Sequence, residues 1–214
     1  MNLEHLYKEF FENLLEGRRK KCTSITEEAI KNGVDIKLLY MNIFERALVE
    51  IGNLWQSNII SVANEHLCTA IIQSIMMQIH RHIKPVEPVK GKIVIACIGK
   101  ELHEVGARMV ADFFEMEGWD VTYLGASMPS RDLIGMVEMA KPDVVGISCT
   151  IASHVEYVRE LTEKLKSVDN NLKIAVGGYC FNRRPELYKY VGADIWTPNA
   201  LDTVNACNAI FQAR

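Results

Sequence analysis

The feature that most constrains the fold of this chain is a change in the spacing of its apolar residues near residue 84. From Leu3 to Ile83 the apolar residues recur at helical spacing, as expected of helices that bury one face. From Lys92 onward, short β-branched runs alternate with helical stretches. The segment Lys84–Gly91 contains two prolines and predicts a stiff linker. Two structural units are therefore expected.

The first unit is predicted to be a bundle of four helices. Their apolar stripes begin at Leu3, at Cys22, near Asp35 and, with Ser61 as N-cap, at Val62. The gaps between these stripes are short, which is typical of an up-and-down bundle.

The second unit is predicted to be an α/β domain. Strands are expected at Lys92–Ile98, Val121–Leu124, Asp143–Ser148, Leu172–Val176 and Asp194–Trp196, and helices near 104–117, 130–140, 153–167, 183–190 and 200–213. Such alternation predicts a flavodoxin-like (Rossmann-like), parallel, doubly wound sheet with strand order 2-1-3-4-5. The expected division is a four-helix bundle over 1–84, a linker over 85–91 and the α/β domain over 92–214.

Composition argues against several classes of protein. The formal charge of −3 lacks the basic excess of a dedicated nucleic-acid binder. No apolar run approaches the ~20 residues of a membrane span, and the acidic first ten residues argue against a secretory signal. Cysteines 22, 68, 97, 149, 180 and 207 form no CxxC pair and show no metal-binding spacing. They predict reduced thiols in a cytoplasmic protein.

Polar and small residues follow the ends of three predicted strands. His103 comes shortly after the first strand, Ser148 ends the third, and Gly177-Gly178 follows the fourth. In an open parallel sheet a ligand binds outside the carboxyl ends of the strands, where the strand order reverses. Here that point falls between strands one and three. These residues are therefore expected to converge on one site.

The residue types at this site favour a ligand that contains a metal ion and a long tail. His103 can offer a neutral ring nitrogen to a borderline metal ion, and Glu101 can hold the other nitrogen. Gly106 and Gly177-Gly178 lack side chains where a ligand would approach the backbone, and Ser148 can hydrogen-bond the tail. Each residue alone has an ordinary structural explanation, such as a turn glycine. Together they favour a ligand site.

This pattern resembles the motif of cobalamin-binding domains, written D-x-H-x-x-G, S-x-L and GG. The chain reads Glu101-x-His103-x-x-Gly106, then Ser148-x-Thr150, then Gly177-Gly178, with 41 and 26 residues between the segments. Both spacings match those of the family. The resemblance implies a base-off/His-on module, in which His103 is the lower cobalt ligand and the nucleotide tail passes Ser148 and the glycines. Glu101 stands where the family has Asp, and Thr150 where it has Leu.

A second motif lies in the predicted bundle. Trp55 is followed by nine residues and then by Glu65-His66, so these side chains are expected near one corner between two helices. A Trp on an amphipathic helix is usually a core residue, but an indole can also form a stacking wall, and a carboxylate can accept ribose hydroxyls. The signature resembles the CarH/LitR-type adenosylcobalamin photoreceptors. The resemblance implies that Trp55 packs at the adenosyl group, Glu65 contacts that nucleoside, and His66 becomes the upper cobalt ligand after photolysis.

The first function expected from these resemblances is a light-responsive regulator. It would hold adenosylcobalamin base-off/His-on between bundle and sheet and signal through a protein partner, such as a transcriptional regulator. Because no helix-turn-helix precedes the bundle and the chain has no basic excess, direct DNA binding is not expected. Membrane binding is not expected either, since no apolar run is long enough, and a homo-oligomer is left open. No catalytic residue is assigned, so the chain is not expected to be an enzyme.

The alternative function is a corrinoid methyl carrier of a methyltransferase system, with methylcobalamin as the cofactor. Such carriers share the cobalamin-domain motif around His103 (the lower motif) but have no need of the Trp55, Glu65 and His66 set (the upper motif). A flavodoxin-like nucleotide binder with an unrelated helical cap is disfavoured by the two matching spacings.

Overall fold

The computed structural model of the chain describes residues 2–84, 86 and 90–212. The chain divides into two compact units, residues 1–83 and residues 84–214. The linker expected over 85–91 includes residues 85 and 87–89, which lie outside the described residues.

The first unit is a helical bundle. Its elements are α1 (Leu3–Leu15), α2 (Arg19–Lys31), α3 (Ile36–Leu39), a π-helical segment (Tyr40–Glu45), α4 (Arg46–Gln56), α5 (Val62–Ile79) and a 3-10 turn (His80–His82). Since α3, the π segment and α4 follow one another without a break, the four predicted helical stretches are all present. Aromatic side chains fill the core: the rings of Phe10 and Tyr40 each lie 5.6 Å from that of Phe44, and all three are buried.

The predicted start of the fourth helix is confirmed. The Ser61 hydroxyl accepts a hydrogen bond from the backbone N–H of Asn64, and the Asn64 side chain accepts one from the backbone N–H of Ser61. This reciprocal pair satisfies N–H groups that have no partner within the helix. It fixes where α5 begins and therefore where the following residues, Glu65 and His66, lie on the first turns.

The π segment Tyr40–Glu45 was not predicted. A π turn adds one residue to the helical repeat, and here it places Tyr40, Ile43 and Phe44 together in the core. The apolar spacing looks continuous across it, because the inserted residue only rotates the stripe.

The second unit is an α/β domain with a parallel sheet. The strands are β1 (Lys92–Cys97), β2 (Asp120–Tyr123), β3 (Val144–Ser148), β4 (Lys173–Gly177) and β5 (Ile195–Trp196). The helices are α6 (Val105–Met116), α7 (Ser130–Ala140), α8 (Val155–Val168), α9 (Tyr179–Arg183), α10 (Leu187–Tyr190) and α11 (Ala200–Gln212), with a 3-10 turn (Ala152–His154) before α8. The sheet order is β2-β1-β3-β4-β5, so the predicted flavodoxin-like order is confirmed.

The helix predicted near 183–190 is instead two short helices, α9 and α10. Pro185 lies between them and explains the break, because proline has no N–H to donate and disfavours a helical conformation in the residue before it. Arg184, that preceding residue, has φ −139° and ψ 75°.

The register of the sheet places the carboxyl ends of β1, β3 and β4, which carry the predicted site residues, side by side. Cys97 at the end of β1 pairs with Ser148 at the end of β3, which in turn pairs with Gly177 at the end of β4. The loops that follow these strands therefore leave the sheet at one edge. None of the helices in the described part of the chain is long and apolar enough to cross a membrane.

Candidate functional site

The centre of the site is Glu101, a carboxylate with no exposed surface. Its Oε1 accepts the backbone N–H of His103 at 3.2 Å and lies 2.5 Å from Nδ1 of the His103 ring. Its Oε2 accepts the backbone N–H groups of Thr150 at 2.8 Å and Ile151 at 3.1 Å. Glu101 therefore joins the loop after β1 to the loop after β3, across the point where the strand order reverses.

These hydrogen bonds determine the charge of Glu101. Burial alone raises the pKa of this carboxyl group, because water no longer solvates the charged form. The hydrogen bonds from the His103 side chain and from the backbone of Thr150, His103 and Ile151 outweigh burial, so the pKa of Glu101 lies below its usual value. The site holds a buried anion at neutral pH.

The buried carboxylate sets which nitrogen of His103 is available. With Nδ1 donating to Glu101, the neutral ring presents the lone pair of Nε2. The His103 side chain is 55% exposed, so this nitrogen is accessible to a metal ion. The carboxylate of Glu101, on a side chain one methylene longer than the Asp of the motif, contacts both the His103 ring and the backbone beyond β3.

The remaining residues of the lower motif lie around this pair. Ser148 ends β3 and is almost fully buried, and Thr150 contributes its backbone N–H to Glu101. A side chain added at Gly106 or at Gly177 would meet no atom within 4 Å, which leaves open space for a ligand. The convergence predicted for His103, Ser148 and the glycines is therefore found, while their contacts with a cofactor stay predictions.

Gly178 is required by the fold itself. Its φ is +97°, and a Cβ there would lie 2.5 Å from the carbonyl oxygen of Cys149. The backbone after β4 thus passes directly against the backbone after β3, and only glycine permits that approach. The sequence explanation, that this glycine makes room for a ligand, is not needed for Gly178.

A cavity of about 290 Å³ lies among the segments that follow β3 and β4. It is lined by Ala152, Ser153, Val155, Glu156, Cys180, Arg184, Leu187 and Tyr190. Sequence reasoning did not identify these residues, because none of them belongs to a motif and they come from separate segments of the chain.

In the bundle, the structure places Trp55 in the last turn of α4 and Glu65-His66 at the start of α5. Nδ1 of His66 contacts the Glu65 carboxylate, which also accepts the Thr69 hydroxyl at 2.9 Å. The His66 side chain is 75% exposed and Trp55 is 41% exposed. Trp55 is therefore not a core residue, and His66, like His103, has a carboxylate on Nδ1 and an accessible Nε2.

The residues of the lower site fit a cobalt-centred cofactor. A histidine with Nδ1 fixed by a buried carboxylate can supply one axial nitrogen ligand, and open space lies at Gly106 and Gly177. A flavodoxin-like sheet with such a histidine at its switch point defines a class of protein that holds a metal-centred cofactor at the carboxyl edge.

Comparisons with known proteins identify the family. A sequence model of the B12 binding domain matches residues 91–205, and a second B12 binding domain model matches residues 6–79. The first match alone covers more than half of the chain. The chain therefore belongs to the B12 binding domain family, and its cofactor is a cobalamin.

The relatives include two kinds of protein. The HTH-type transcriptional repressor CarH of Myxococcus xanthus is 32% identical over 133 residues, which are 61% of this chain and 44% of that protein. Trimethylamine corrinoid protein 1 of Methanosarcina acetivorans is 24% identical over 199 residues, which are 89% of each chain. The chain thus spans less than half the length of the repressor CarH. The solved structure of the Methanosarcina barkeri monomethylamine corrinoid protein matches with a TM-score of 0.86 at 13% identity, over 98% of this chain and 100% of that one, and shows the shared fold.

Proposed function

We propose that this chain carries a cobalamin whose nucleotide base is detached from the cobalt, with His103 as the lower axial ligand. The observation that carries the proposal is the contact of His103 Nδ1 with the buried carboxylate of Glu101, because it fixes the ring and leaves Nε2 free. In this proposal Ser148, Gly106 and Gly177 would contact the detached tail, and Glu101, which joins the loops after β1 and β3, would hold those loops in place.

We propose further that the chain is a methyl carrier of a methyltransferase system. When bound, cobalamin supplies a cobalt ion that can hold a methyl group on its upper face. Similarity to a trimethylamine corrinoid protein runs along 89% of both chains and so includes the bundle as well as the sheet unit. The chain's own residues would bind and orient the cofactor. Its partners would be the methyltransferases that load and unload it, and they would provide the catalytic residues.

A second candidate, the light-responsive regulator, is favoured by one specific observation. His66 is largely exposed and its Nδ1 is held by Glu65, an arrangement that leaves Nε2 ready to coordinate a metal. A methyl carrier has no need of a second histidine prepared in this way. For this function Trp55 and Glu65 would face the adenosyl group of adenosylcobalamin, and the partner would be a regulatory protein.

The lower ligand is tested first, by the absorption spectrum of the chain loaded with methylcobalamin. His103→Ala should lose the His-on spectrum, whereas His82→Ala, which changes an exposed histidine in the bundle, should keep it. A wild-type spectrum in His103→Ala would overturn the proposed role of His103.

An illumination experiment distinguishes the methyl carrier from the light-responsive regulator. The chain is loaded with adenosylcobalamin in the dark and illuminated with green light, in the wild type, in His66→Ala and in the control His5→Ala. A stable product with histidines on both faces, absent only in His66→Ala, would establish the regulator and reject the carrier. The carrier proposal expects the same photoproduct in all three proteins. It also expects methyl transfer from the methylcobalamin-loaded chain to a small thiol when a corrinoid:thiol methyltransferase is added.

A further inference from the structure

A second imidazole lies beside Glu101. His154 ends the 3-10 turn before α8, and its Nδ1 is 3.5 Å from Oε2 of Glu101. Its side chain is only 15% exposed. Neither the cobalamin motif nor the upper motif includes this residue, and its position 53 residues after Glu101 gives no sequence signal.

The Nδ1 atom of His154 is buried and makes no hydrogen bond within residues 2–84, 86 and 90–212. A buried polar nitrogen without a partner is costly, and native structures rarely keep one without a reason. The ring packs edge-on against Tyr157 at 6.4 Å between centroids, which gives Nδ1 no acceptor. Glu101 is an ionised acceptor, and the distance of 3.5 Å from His154 Nδ1 to its Oε2 is only about 0.3 Å beyond the usual hydrogen-bond range, so a small side-chain rotation would make the bond.

We propose that His154 is a positioning residue for the cobalt ligand: its Nδ1–H donates to Oε2 of Glu101, so that one buried carboxylate is shared by two imidazoles. This inference rests on the proposed role of His103. His154 would act through Glu101 and would not touch the metal.

Sharing the carboxylate has a defined consequence for His103. Each hydrogen bond that Glu101 accepts withdraws negative charge from it, and a less basic carboxylate pulls less strongly on the His103 Nδ1–H. The Nε2 lone pair of His103 is then a weaker donor to cobalt. Removal of His154 would leave the carboxylate held by the Thr150 and Ile151 N–H groups, so its position would survive while its charge became less compensated. His154 therefore moderates the strength of the lower ligand.

The sign of this effect separates the proposal from a merely structural role. In His154→Leu the chain should bind methylcobinamide, a corrinoid without the nucleotide base, about threefold more tightly than the wild type. His154→Asn places an amide N–H near the position of Nδ1 and should restore wild-type affinity, whereas His154→Gln should not. Unchanged or weaker binding in a folded His154→Leu protein would overturn the proposal.

Two further measurements keep the test independent of the folding of one variant and of the proposed function. In the His103→Ala background, His154→Leu should change the affinity no further, since His154 acts through His103. In the cofactor-free wild type, ¹⁵N NMR should show the His154 proton on Nδ1, and a proton on Nε2 alone would reject the hydrogen bond. If His103→Ala itself left affinity and spectrum unchanged, the proposed function would fail. If His103→Ala weakened binding but His154→Leu did not strengthen it, only the present inference would fail.

Discussion

The two units of this chain each hold a histidine by its Nδ1 with a neighbouring glutamate, and the two pairs differ in what lies behind the carboxylate. Glu101 is fully buried and accepts backbone N–H groups from the loop after β3, far away in sequence. Glu65 is 23% exposed in its side chain and is supported by Thr69 on its own helix. The pair Glu101–His103 (the lower pair) is therefore held by contacts between distant segments of the chain, while the pair Glu65–His66 (the upper pair) depends on one helix turn.

If both histidines coordinate cobalt, this difference would suit distinct roles for them. A carboxylate fixed by several buried donors holds its imidazole in one orientation before any ligand arrives, which suits a permanent ligand. An exposed pair on a helix surface can change its rotamers at small cost, because exposed ion pairs contribute little to stability. That suits a ligand that binds only in one state of the cofactor.

The largest effect is expected where the backbone after β4 passes against the backbone after β3, close to the lower pair. Gly178→Ala forces a Cβ into the carbonyl of Cys149 at a φ of +97°, next to the loop that donates to Glu101. We expect a loss of about 4 kcal/mol in the free energy of unfolding, measured by urea titration. Gly52→Ala, inside α4 with open space around it, is the matched change in the bundle and should stabilise the chain by about 0.5 kcal/mol. Equal effects would contradict the contrast between the two units.

The next effect concerns the carboxylates themselves. Glu101→Ala leaves the N–H groups of Thr150 and Ile151 without their acceptor, and should lower the free energy of unfolding by about 3 kcal/mol. Glu65→Ala removes contacts with the exposed His66 and with Thr69 on the same helix, and should cost about 0.5 kcal/mol. Urea unfolding of the cofactor-free proteins measures both. A Glu65→Ala loss as large as that of Glu101→Ala would show that the upper pair is equally built in.

Shortening each glutamate side chain by one methylene tests the same difference between the lower and upper pairs. Glu101→Asp draws the carboxylate back by one methylene and should weaken its contact with the His103 ring or with the loop after β3, so we expect about a tenfold loss in the ratio of His-on to His-off cobalamin, measured by absorption at neutral pH. Glu65→Asp, the control, should leave that ratio unchanged. An unchanged ratio in Glu101→Asp would mean that the longer arm is not what joins the two loops.

The smallest expected effect is in thiol reactivity. The Cys97 thiol contacts the carbonyl of His103, and the Cys68 thiol contacts that of Leu14, so each reports on its own unit. Burial raises the pKa of Cys97 to about 12. Because the thiolate is the reactive form, alkylation of the native protein should accelerate about tenfold per pH unit above pH 8.

The raised pKa of Cys97 also determines how the stability of the fold changes with pH. A thiol whose pKa is raised by folding stabilises the fold below its ordinary pKa of 9.0, and this contribution is lost as the pH rises above that value. At pH 8, Glu101→Asp should speed alkylation of Cys97 about threefold by loosening the loop. Glu65→Asp should leave the rate at Cys68 unchanged. Mass spectrometry of the two cysteine peptides measures these rates, and equal acceleration at both cysteines would remove the contrast.

The sheet and much of the lower site could be predicted from the sequence, because parallel βαβ units have few allowed arrangements and the strand ends bring distant motifs to one edge. His154 could not be predicted, since its approach to Glu101 depends on a short turn and a rotamer and not on a spacing. The π segment was also hidden, because one inserted residue leaves the apolar periodicity looking helical. In the bundle, the sequence predicted that Trp55 lies at the end of a helix. Its exposure could not be predicted, because it depends on how the helices pack.

The bridge made by Glu101 implies an asymmetry in how this fold tolerates insertions. The excursions through β2 and α7, between the two loops it joins, can lengthen without moving the strand ends. The loops themselves cannot, because a carboxylate of fixed reach must meet the imidazole on one side and two amide groups on the other. Homologous chains that keep this bridge should therefore hold the residue counts from β1 to the glutamate and from β3 to the amides constant, even where an insertion lengthens a connecting excursion.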